Sequence, residues 1–207
     1  EGILGHFIKV FGFTLSVWVL YSATYSNLDA LSITISFYAG ILSLAFLIVS
    51  PFSTGDKNTV NLIDVGASVL SLVTGAYFLL NADTIAARIT LLDPLSSYDA
   101  LFGTLIIVFT IEIMRRTVGL GLTVIVLMFM AYNLFGDRLT GTLGHGEISY
   151  THFLDVMTFT TDGLFGVPLR VAGTYAFLFV MFGTALAKCG GADFFFNLAA
   201  SLTGRSA

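Results

Sequence analysis

Long apolar runs separated by short polar breaks dominate the pattern of hydrophobic and polar positions along this chain. A helix needs roughly 20 predominantly apolar residues to cross about 30 Å of hydrocarbon. Strands this apolar would have no polar face for a barrel interior, so the runs are predicted to form helices. The pattern predicts an all-α polytopic integral membrane protein with about six transmembrane helices and additional interfacial amphipathic helices. The predicted spans are approximately residues 8–25, 31–50, 62–80, 100–114, 120–135 and 169–187.

Amphipathic segments outside these spans predict helices that lie along the membrane surface. Residues 150–161 place apolar side chains at the spacing of one helical face, and residues 192–202 repeat the pattern. Residues 83–97 form a third, mixed segment with apolar residues at helical spacing. In residues 150–161 the predicted apolar face comprises Phe153, Val156, Met157 and Phe159 or Thr160, and the predicted polar face comprises His152, Asp155 and Thr158. The apolar residues of the third segment are Ile85, Ile89 and Leu92.

The composition is that of a chain whose surface faces lipid. Hydrophobic residues make up 56% of it and charged residues 11%, with a mean hydropathy of +0.91, whereas a soluble domain is nearer 45–50% apolar and about 25% charged. The 9 basic residues form no basic stripe, so nucleic acid is not expected as a partner. The single cysteine, Cys189, excludes an internal disulfide and is interpreted as a small apolar residue near a helix end.

Basic residues near the helix ends predict the orientation, because Lys and Arg that flank a span stay in the cytoplasm. With the N-terminus inside, 6 basic residues fall on the cytoplasmic side and 3 fall outside. A cytoplasmic N-terminus is therefore predicted. The inner residues are Lys9, Lys57, Arg115, Arg116, Lys188 and Arg205, and the outer ones are Arg88, Arg138 and Arg170.

Ionisable residues are rare within the predicted spans, where such side chains are functional candidates. Glu112 precedes Arg115 by three positions, so the two share a helix face and are predicted to pair. A salt bridge that fixes the depth of the helix is favoured over a role for Glu112 in ion coupling, which stays open. Asp64 opens the third span and is interpreted as a helix cap, because a carboxylate suits a helix N-terminus.

The sequence predicts neither a catalytic nor a metal-binding site. His6, His145 and His152 all lie outside the predicted spans, and His145 and His152 have no acidic partner at ligand spacing. An intramembrane serine protease needs a histidine within the bilayer, and no G-x-S-x-G turn is present. The chain is accordingly not expected to be an enzyme, and no catalytic, cofactor-binding or metal-binding residue is assigned.

Two local patterns allow both a packing and a functional interpretation. Small residues recur every four positions in three spans, which predicts close helix packing within the bundle or, alternatively, a dimer interface. Residues 163–168 (GLFGVP) are interpreted as a turn into the last span, with Pro168 near its first turn. A broken helix at a transporter binding site is the alternative. The small residues are Ser32, Ser36 and Gly40, then Ala67, Ser71 and Gly75, then Gly183 and Ala187.

Three stretches of the chain form longer motifs. Residues 112–119 read EIMRRTVG, residues 131–136 read AYNLFG, residues 162–191 read DGLFGVPLRVAGTYAFLFVMFGTALAKCGG, and residues 194–205 read FFFNLAASLTGR. These stretches resemble the permease of tripartite ATP-independent periplasmic (TRAP) transporters, in the fused form served by TAXI-type binding proteins. The resemblance is strong from about residue 100 onward, and before that only hydropathy and helix count agree.

The resemblance implies a sodium-coupled secondary transporter in a bacterial or archaeal cytoplasmic (inner) membrane. A periplasmic TAXI-type solute-binding protein would deliver an organic acid to it. Residues 1–117 would form a four-helix small-subunit-like portion, and residues 118–207 the beginning of the large transport portion. The expected partners are the lipid bilayer, that binding protein and the remainder of the permease.

The sodium and substrate sites of the family lie in Gly/Ser/Thr-rich hairpins, which would follow Ala207. No ion or substrate ligand is therefore assigned, no cofactor is expected in these residues, and residues 1–207 alone are not expected to transport. The chain begins with Glu1 rather than Met, which agrees with a piece of a longer protein. The alternative is a non-transporting six-helix scaffold that docks partners through its outer loops.

Overall fold

The structure, a computed structural model, describes residues 3–25, 28–49 and 61–204, with the side chains of residues 3, 4, 202 and 203 outside that description. These parts of the chain are mainly helical and contain no β-strand. The helices are α1 (Ile3–Thr24), α2 (Ala30–Ile48), α3 (Leu62–Leu80), α4 (Ala82–Ala87), α5 (Ser97–Thr117), α6 (Leu120–Phe135), α7 (Tyr150–Thr158), α8 (Val167–Lys188) and α9 (Gly191–Thr203).

Within the described ranges, six helices are long and apolar enough to cross a membrane: α1, α2, α3, α5, α6 and α8. The chain is therefore an all-α polytopic membrane protein, which confirms the predicted class and number of spans. Helices α3 and α6 match their predicted ranges, whereas α5 extends the predicted 100–114 by about one turn at each end. It begins early because Ser96 and Asp99 form a reciprocal capping box. Its last turn contains Arg115 and Arg116, each of which forms an ion pair with Glu112.

Helix α2 lies at the centre of the bundle and contacts α1, α3, α5 and α8. In α2, 72% of the span is buried, against 6% to 33% in the other spans, so α2 is covered by the surrounding helices whereas the others are largely exposed. Phe46 of α2 and Phe78 of α3 are the largest fully buried side chains, and Phe165 joins them from the turn before α8. Lipid is as apolar as these side chains, so the hydrophobic effect does not drive the helices together. Van der Waals packing between them holds the bundle instead.

Two of the three small-residue stripes lie against neighbouring helices of the bundle. A Cβ added to Gly75 of α3 would lie 2.1 Å from the Cβ of Ala39, and one added to Gly40 of α2 would lie 2.6 Å from Leu15. Packing within the bundle is confirmed for these stripes. The third stripe differs, because a Cβ on Gly183 of α8 would meet nothing within 4 Å.

Side-chain contacts establish which helix ends lie together. The ends of α2 and α5 and the start of α3 meet around Arg116, and we call this the Arg116 end. At the opposite end, Tyr77 of α3 donates a hydrogen bond to Asp99 at the start of α5, and α7 packs against α5. We call this the Asp155 end, after the buried carboxylate in α7. Lys57 and Arg205, which entered the orientation count, lie outside the described residues.

Helix α7 is shorter than the predicted 150–161, and its buried face is not the predicted one. Asp155 and Thr158 were placed on the polar, outward face, yet they are 3% and 0% exposed. That assignment is wrong because α7 packs on α5: a Cβ on Gly103 of α5 would lie 2.9 Å from Thr158 Oγ1. The predicted face is correct for Phe153, which is buried, whereas Met157 is exposed.

The segment between the third and fourth spans is mostly irregular. Helix α4 has six residues, after which the chain turns through Leu91 in the left-handed region, at φ 68°. Ile85 is buried whereas Ile89 and Leu92 are exposed, so the single apolar face predicted for these three residues is wrong. The helix stops too early for them to share a face.

The last span begins as predicted and then departs from a regular α-helix. Residues 163–166 form a turn that inserts Phe165 into the core, and Pro168 lies in the first turn of α8. Residues Ala172–Ala176 form a π-helical turn inside α8, which the sequence did not predict. Gly173 in this turn lies against Phe37 of α2, where a Cβ would be 2.6 Å from the ring. Helix α9 confirms the helix predicted for residues 192–202.

Candidate functional site

A buried network around Arg116 joins three helices at the Arg116 end. Its Nη1 donates to Asp64 Oδ1 at 2.7 Å and to the Val49 carbonyl at 3.1 Å, and its Nε donates to Glu112 Oε1 at 2.7 Å. The guanidinium also lies over the Phe46 ring, 5.0 Å from its centroid. The side chains of Arg116 and Asp64 are each 5% exposed, so this ion pair is shielded from solvent.

Helix geometry explains why an arginine serves at this position. Val49 follows the end of α2, where backbone carbonyls lack helical partners, and a cation is favourable at such an end. The planar guanidinium carries several donors in fixed directions and can bind a carboxylate and a carbonyl together. Asp64 lies in the first turn of α3, but Asn61 occupies the N-cap position. The interpretation of Asp64 as a cap is therefore wrong, since its carboxylate binds Arg116.

The predicted pair of Glu112 and Arg115 is confirmed. Arg115 donates from Nε and Nη2 to the two carboxylate oxygens of Glu112, both at 2.8 Å. These two side chains are about one-third exposed, so the pair lies at the edge of the network rather than within it. A role for Glu112 in ion coupling stays a prediction.

A second network surrounds Arg88 and Asp155 at the opposite end. Arg88 Nε donates to Asp155 Oδ1 at 3.0 Å, and the backbone N–H of Leu91 donates to Asp155 Oδ2 at 2.7 Å. Arg88 also donates to the Asp93 carbonyl, and the Asp93 carboxylate accepts the N–H of Ile89 at 2.8 Å. These bonds fix the turn that contains the left-handed Leu91 residue and attach it to α7.

A cavity of about 260 Å³ lies between this turn and the start of α7. Asp93, His152, Ser149 and Thr151 contribute polar groups to its wall, together with Asp155. Both oxygens of Asp155 accept hydrogen bonds within the protein, and one oxygen of Asp93 accepts the N–H of Ile89. In the described ranges, no three His, Cys, Asp or Glu side chains are grouped as a metal site would require.

The three histidines occupy different settings. His6 lies within α1 and within its candidate span Gly5–Thr24, so its predicted position outside the spans is wrong. His152 lines the cavity described above. His145 packs edge-on against Tyr132, with Nδ1 2.7 Å from the Gly146 carbonyl and Nε2 3.0 Å from the Tyr132 carbonyl.

Hydroxyl pairs satisfy the polar groups inside the bundle. Tyr38 and Thr110 are joined at 2.6 Å between α2 and α5, and Ser43 and Ser68 at 2.7 Å between α2 and α3. Among the described residues, every buried side-chain nitrogen or oxygen has a hydrogen-bond partner. Such pairing is what a membrane environment requires, because an unpaired polar group in hydrocarbon would be costly.

Sequence reasoning found the Glu112–Arg115 pair, because its members are one helical turn apart. It missed Asp64–Arg116 and Arg88–Asp155, which join residues 52 and 67 positions apart. A signal existed for the first pair, since the predicted topology places Asp64 and Arg116 at the same membrane face. No known family model, curated protein or solved structure matches this chain.

Proposed function

We propose that this chain is part of the membrane permease of a TRAP-type secondary transporter, which takes up an organic acid with an ion gradient and a periplasmic solute-binding protein. In this proposal the protein is not an enzyme. The described helices anchor the transporter in the cytoplasmic membrane, with the N-terminus and the Arg116 end on the cytoplasmic side. Ion and substrate are bound by other parts of the permease.

The observation that carries the proposal is the placement of the residues on which the resemblance rests. Glu112 and Arg116 of the EIMRRTVG motif belong to the network that joins α2, α3 and α5. Phe165 of the GLFGVP motif inserts between Tyr38 and Phe78, with ring centroids 6.4 and 5.3 Å away. Both motifs thus lie where separate spans are held together, as an anchoring portion requires.

The division at residue 117 stays a prediction. The two parts, 1–117 and 118–207, contact each other through α8, which packs on α1 and α2, and through Arg88 and Asp155. Phe37 of α2 meets Phe177 of α8 edge-to-face at 5.5 Å. These contacts support an anchor that includes α7 and α8 in addition to the first four spans.

The test is transport by the whole permease that contains these residues. Sequencing the gene on both sides of residues 1–207 should reveal further spans with Gly/Ser/Thr-rich interruptions and a neighbouring binding-protein gene. The complete permease, reconstituted in vesicles with that binding protein, should accumulate a radiolabelled carboxylate when an inward sodium gradient is applied. A proton gradient applied alone distinguishes the coupling ion. Absence of uptake with either gradient, for every acid that the binding protein holds, contradicts the proposal.

A non-transporting scaffold is the second candidate. It is favoured by the complete pairing of buried polar groups in the described part of the chain, which leaves no free polar group for a solute within the bundle. A gene that ends with these six spans, together with co-purification of a membrane partner, would support this candidate over the first.

A further inference from the structure

We propose that His145 is a pH-sensitive clamp: its imidazolium holds the segment 139–147 against the end of α6, and loss of the proton loosens that segment. The proposal concerns the Asp155 end of the bundle and does not depend on whether the protein transports. It assigns a role to a histidine that neither ion-pair network uses.

His145 forms hydrogen bonds with two backbone carbonyl groups, one through each ring nitrogen. Nδ1 lies 2.7 Å from the Gly146 carbonyl oxygen, and Nε2 lies 3.0 Å from the Tyr132 carbonyl oxygen. A carbonyl oxygen only accepts, so each contact needs an N–H on the ring. Neutral imidazole has one N–H, whereas imidazolium has two. Both bonds can therefore form only when the ring is protonated, and deprotonation turns one of them into a contact between two acceptors.

The ring is built into the end of α6 rather than lying loosely on the surface. It packs edge-on against Tyr132, with centroids 5.3 Å apart. Gly136 lies beneath it, where a Cβ would be 2.2 Å from Nε2, so a larger residue would displace the ring. The Tyr132 hydroxyl donates to the Leu143 carbonyl at 2.8 Å, which ties the same segment a second time.

The charges around the ring favour the protonated form. The Gly146 carbonyl, then the Tyr132 carbonyl and the Asp137 carboxylate, raise the pKa of His145 above its ordinary value of 6.5. Asp137 follows α6 directly, whereas the neighbouring Arg138 guanidinium lies over the Phe135 ring. Because the folded pKa is raised, the clamp is fully formed below the unfolded pKa and is lost as the pH rises through the folded pKa.

Electron paramagnetic resonance of a spin label in the segment tests the clamp. The single native cysteine is exposed, so Cys189→Ser removes it and Thr142→Cys introduces a labelling site in the exposed turn. In the full chain in lipid nanodiscs, we expect the mobile fraction of the label to rise about two- to tenfold between pH 5.5 and 8.5, the range for loss of one hydrogen bond. The spectrum of the label has no pH dependence of its own.

Matched variants decide whether His145 is responsible. His145→Gln should give a mobile label at every pH, whereas His152→Gln should keep the response of the parent. Gly136→Ala should also loosen the segment at every pH, because it displaces the ring without replacing the histidine, and it therefore guards against a folding defect of His145→Gln. A label equally immobile at both pH values in the parent, or a pH response that persists in His145→Gln, overturns the proposal.

Discussion

Arg116 stands where three helices meet, and its contacts predict a large effect on stability. Arg116→Met should lower the free energy of unfolding by about 3–5 kcal/mol, because it leaves the buried Asp64 carboxylate without a partner. The measurement is reversible denaturation of the full chain in mixed micelles. Replacing both residues, in Arg116→Met with Asp64→Leu, should restore most of the loss, since an apolar pair leaves no buried charge.

Arg115→Met provides the matched control for that experiment. It removes a guanidinium from the same turn of α5, but one that is about one-third exposed. An exposed ion pair contributes about 0–1 kcal/mol, so the control should be nearly neutral. Equal small losses for Arg115→Met and Arg116→Met would show that burial does not distinguish the two pairs.

Asp29 predicts a pH dependence at the start of α2. Its side chain accepts the Ser32 N–H at 3.2 Å. A hydrogen bond from the Ser32 side chain, followed by the backbone N–H groups at the start of α2, lowers the pKa of the carboxyl below its ordinary value of 3.8. A lowered folded pKa means that the stabilisation is present above the unfolded pKa and is lost as the pH falls through the folded pKa. Asp29→Ala should cost about 0.5–2 kcal/mol at neutral pH, as for other N-caps.

Asp29→Asn separates the cap from the charge. Asparagine caps a helix about as well as aspartate but does not titrate near pH 4. Thermal unfolding between pH 3 and pH 6 should therefore show a smaller pH dependence in Asp29→Asn than in the parent. The same pH dependence in both proteins would place the titration on another group.

At the scale of helices, the approach of α2 and α3 predicts a steric effect with an internal rescue. Gly75→Ala places a methyl group 2.1 Å from the Ala39 Cβ, so the two helices must separate. Overpacking of this kind costs about 1–3 kcal/mol. Adding Ala39→Gly removes the opposing methyl and should restore the stability. Gly66→Ala in the same helix meets nothing within 4 Å and should not destabilise the protein.

The effect is measured by denaturation in mixed micelles of four proteins: the parent, Gly75→Ala, Gly75→Ala with Ala39→Gly, and Gly66→Ala. The contact is supported if the loss appears in Gly75→Ala alone and disappears in the double variant. A loss of the same size in Gly66→Ala would contradict the prediction, because alanine favours the helix more than glycine and Gly66 has no contact with α2 to lose.

The elements also show what the sequence could and could not predict. The spans were predictable because each is a long apolar run, and the start of α8 because Gly163 and Pro168 allow the turn. The buried face of α7 was not predictable, because its pattern suggested a helix on a lipid surface. Asp155 is buried because it binds Arg88, which belongs to a distant segment of the chain. The π-helical turn at Ala172–Ala176 was not predicted, and in the structure its Gly173 packs against Phe37 of α2, a residue distant in the sequence.

For the whole molecule, the six spans and the two ends predict the sidedness of labelling. If all six helices cross the membrane, Cys189, which follows α8, lies on the side of Arg116, and Thr142, which follows α6, lies on the opposite side. A membrane-impermeant maleimide should therefore react with Cys189 from one side of the membrane, and with Thr142→Cys in a Cys189→Ser background from the other. Labelling of both from the same side contradicts the arrangement of six spans.

The same experiment decides the orientation when vesicles of known sidedness are compared. With a cytoplasmic N-terminus, Cys189 should be protected in right-side-out spheroplasts and labelled in inverted vesicles, and Thr142→Cys should behave in the opposite way. The physical reason is the retention of basic residues in the cytoplasm, where Arg115, Arg116 and Lys188 would lie. Reversed labelling at both positions would leave the fold intact but would place the N-terminus and the Arg116 end outside the cytoplasm, which contradicts the predicted orientation.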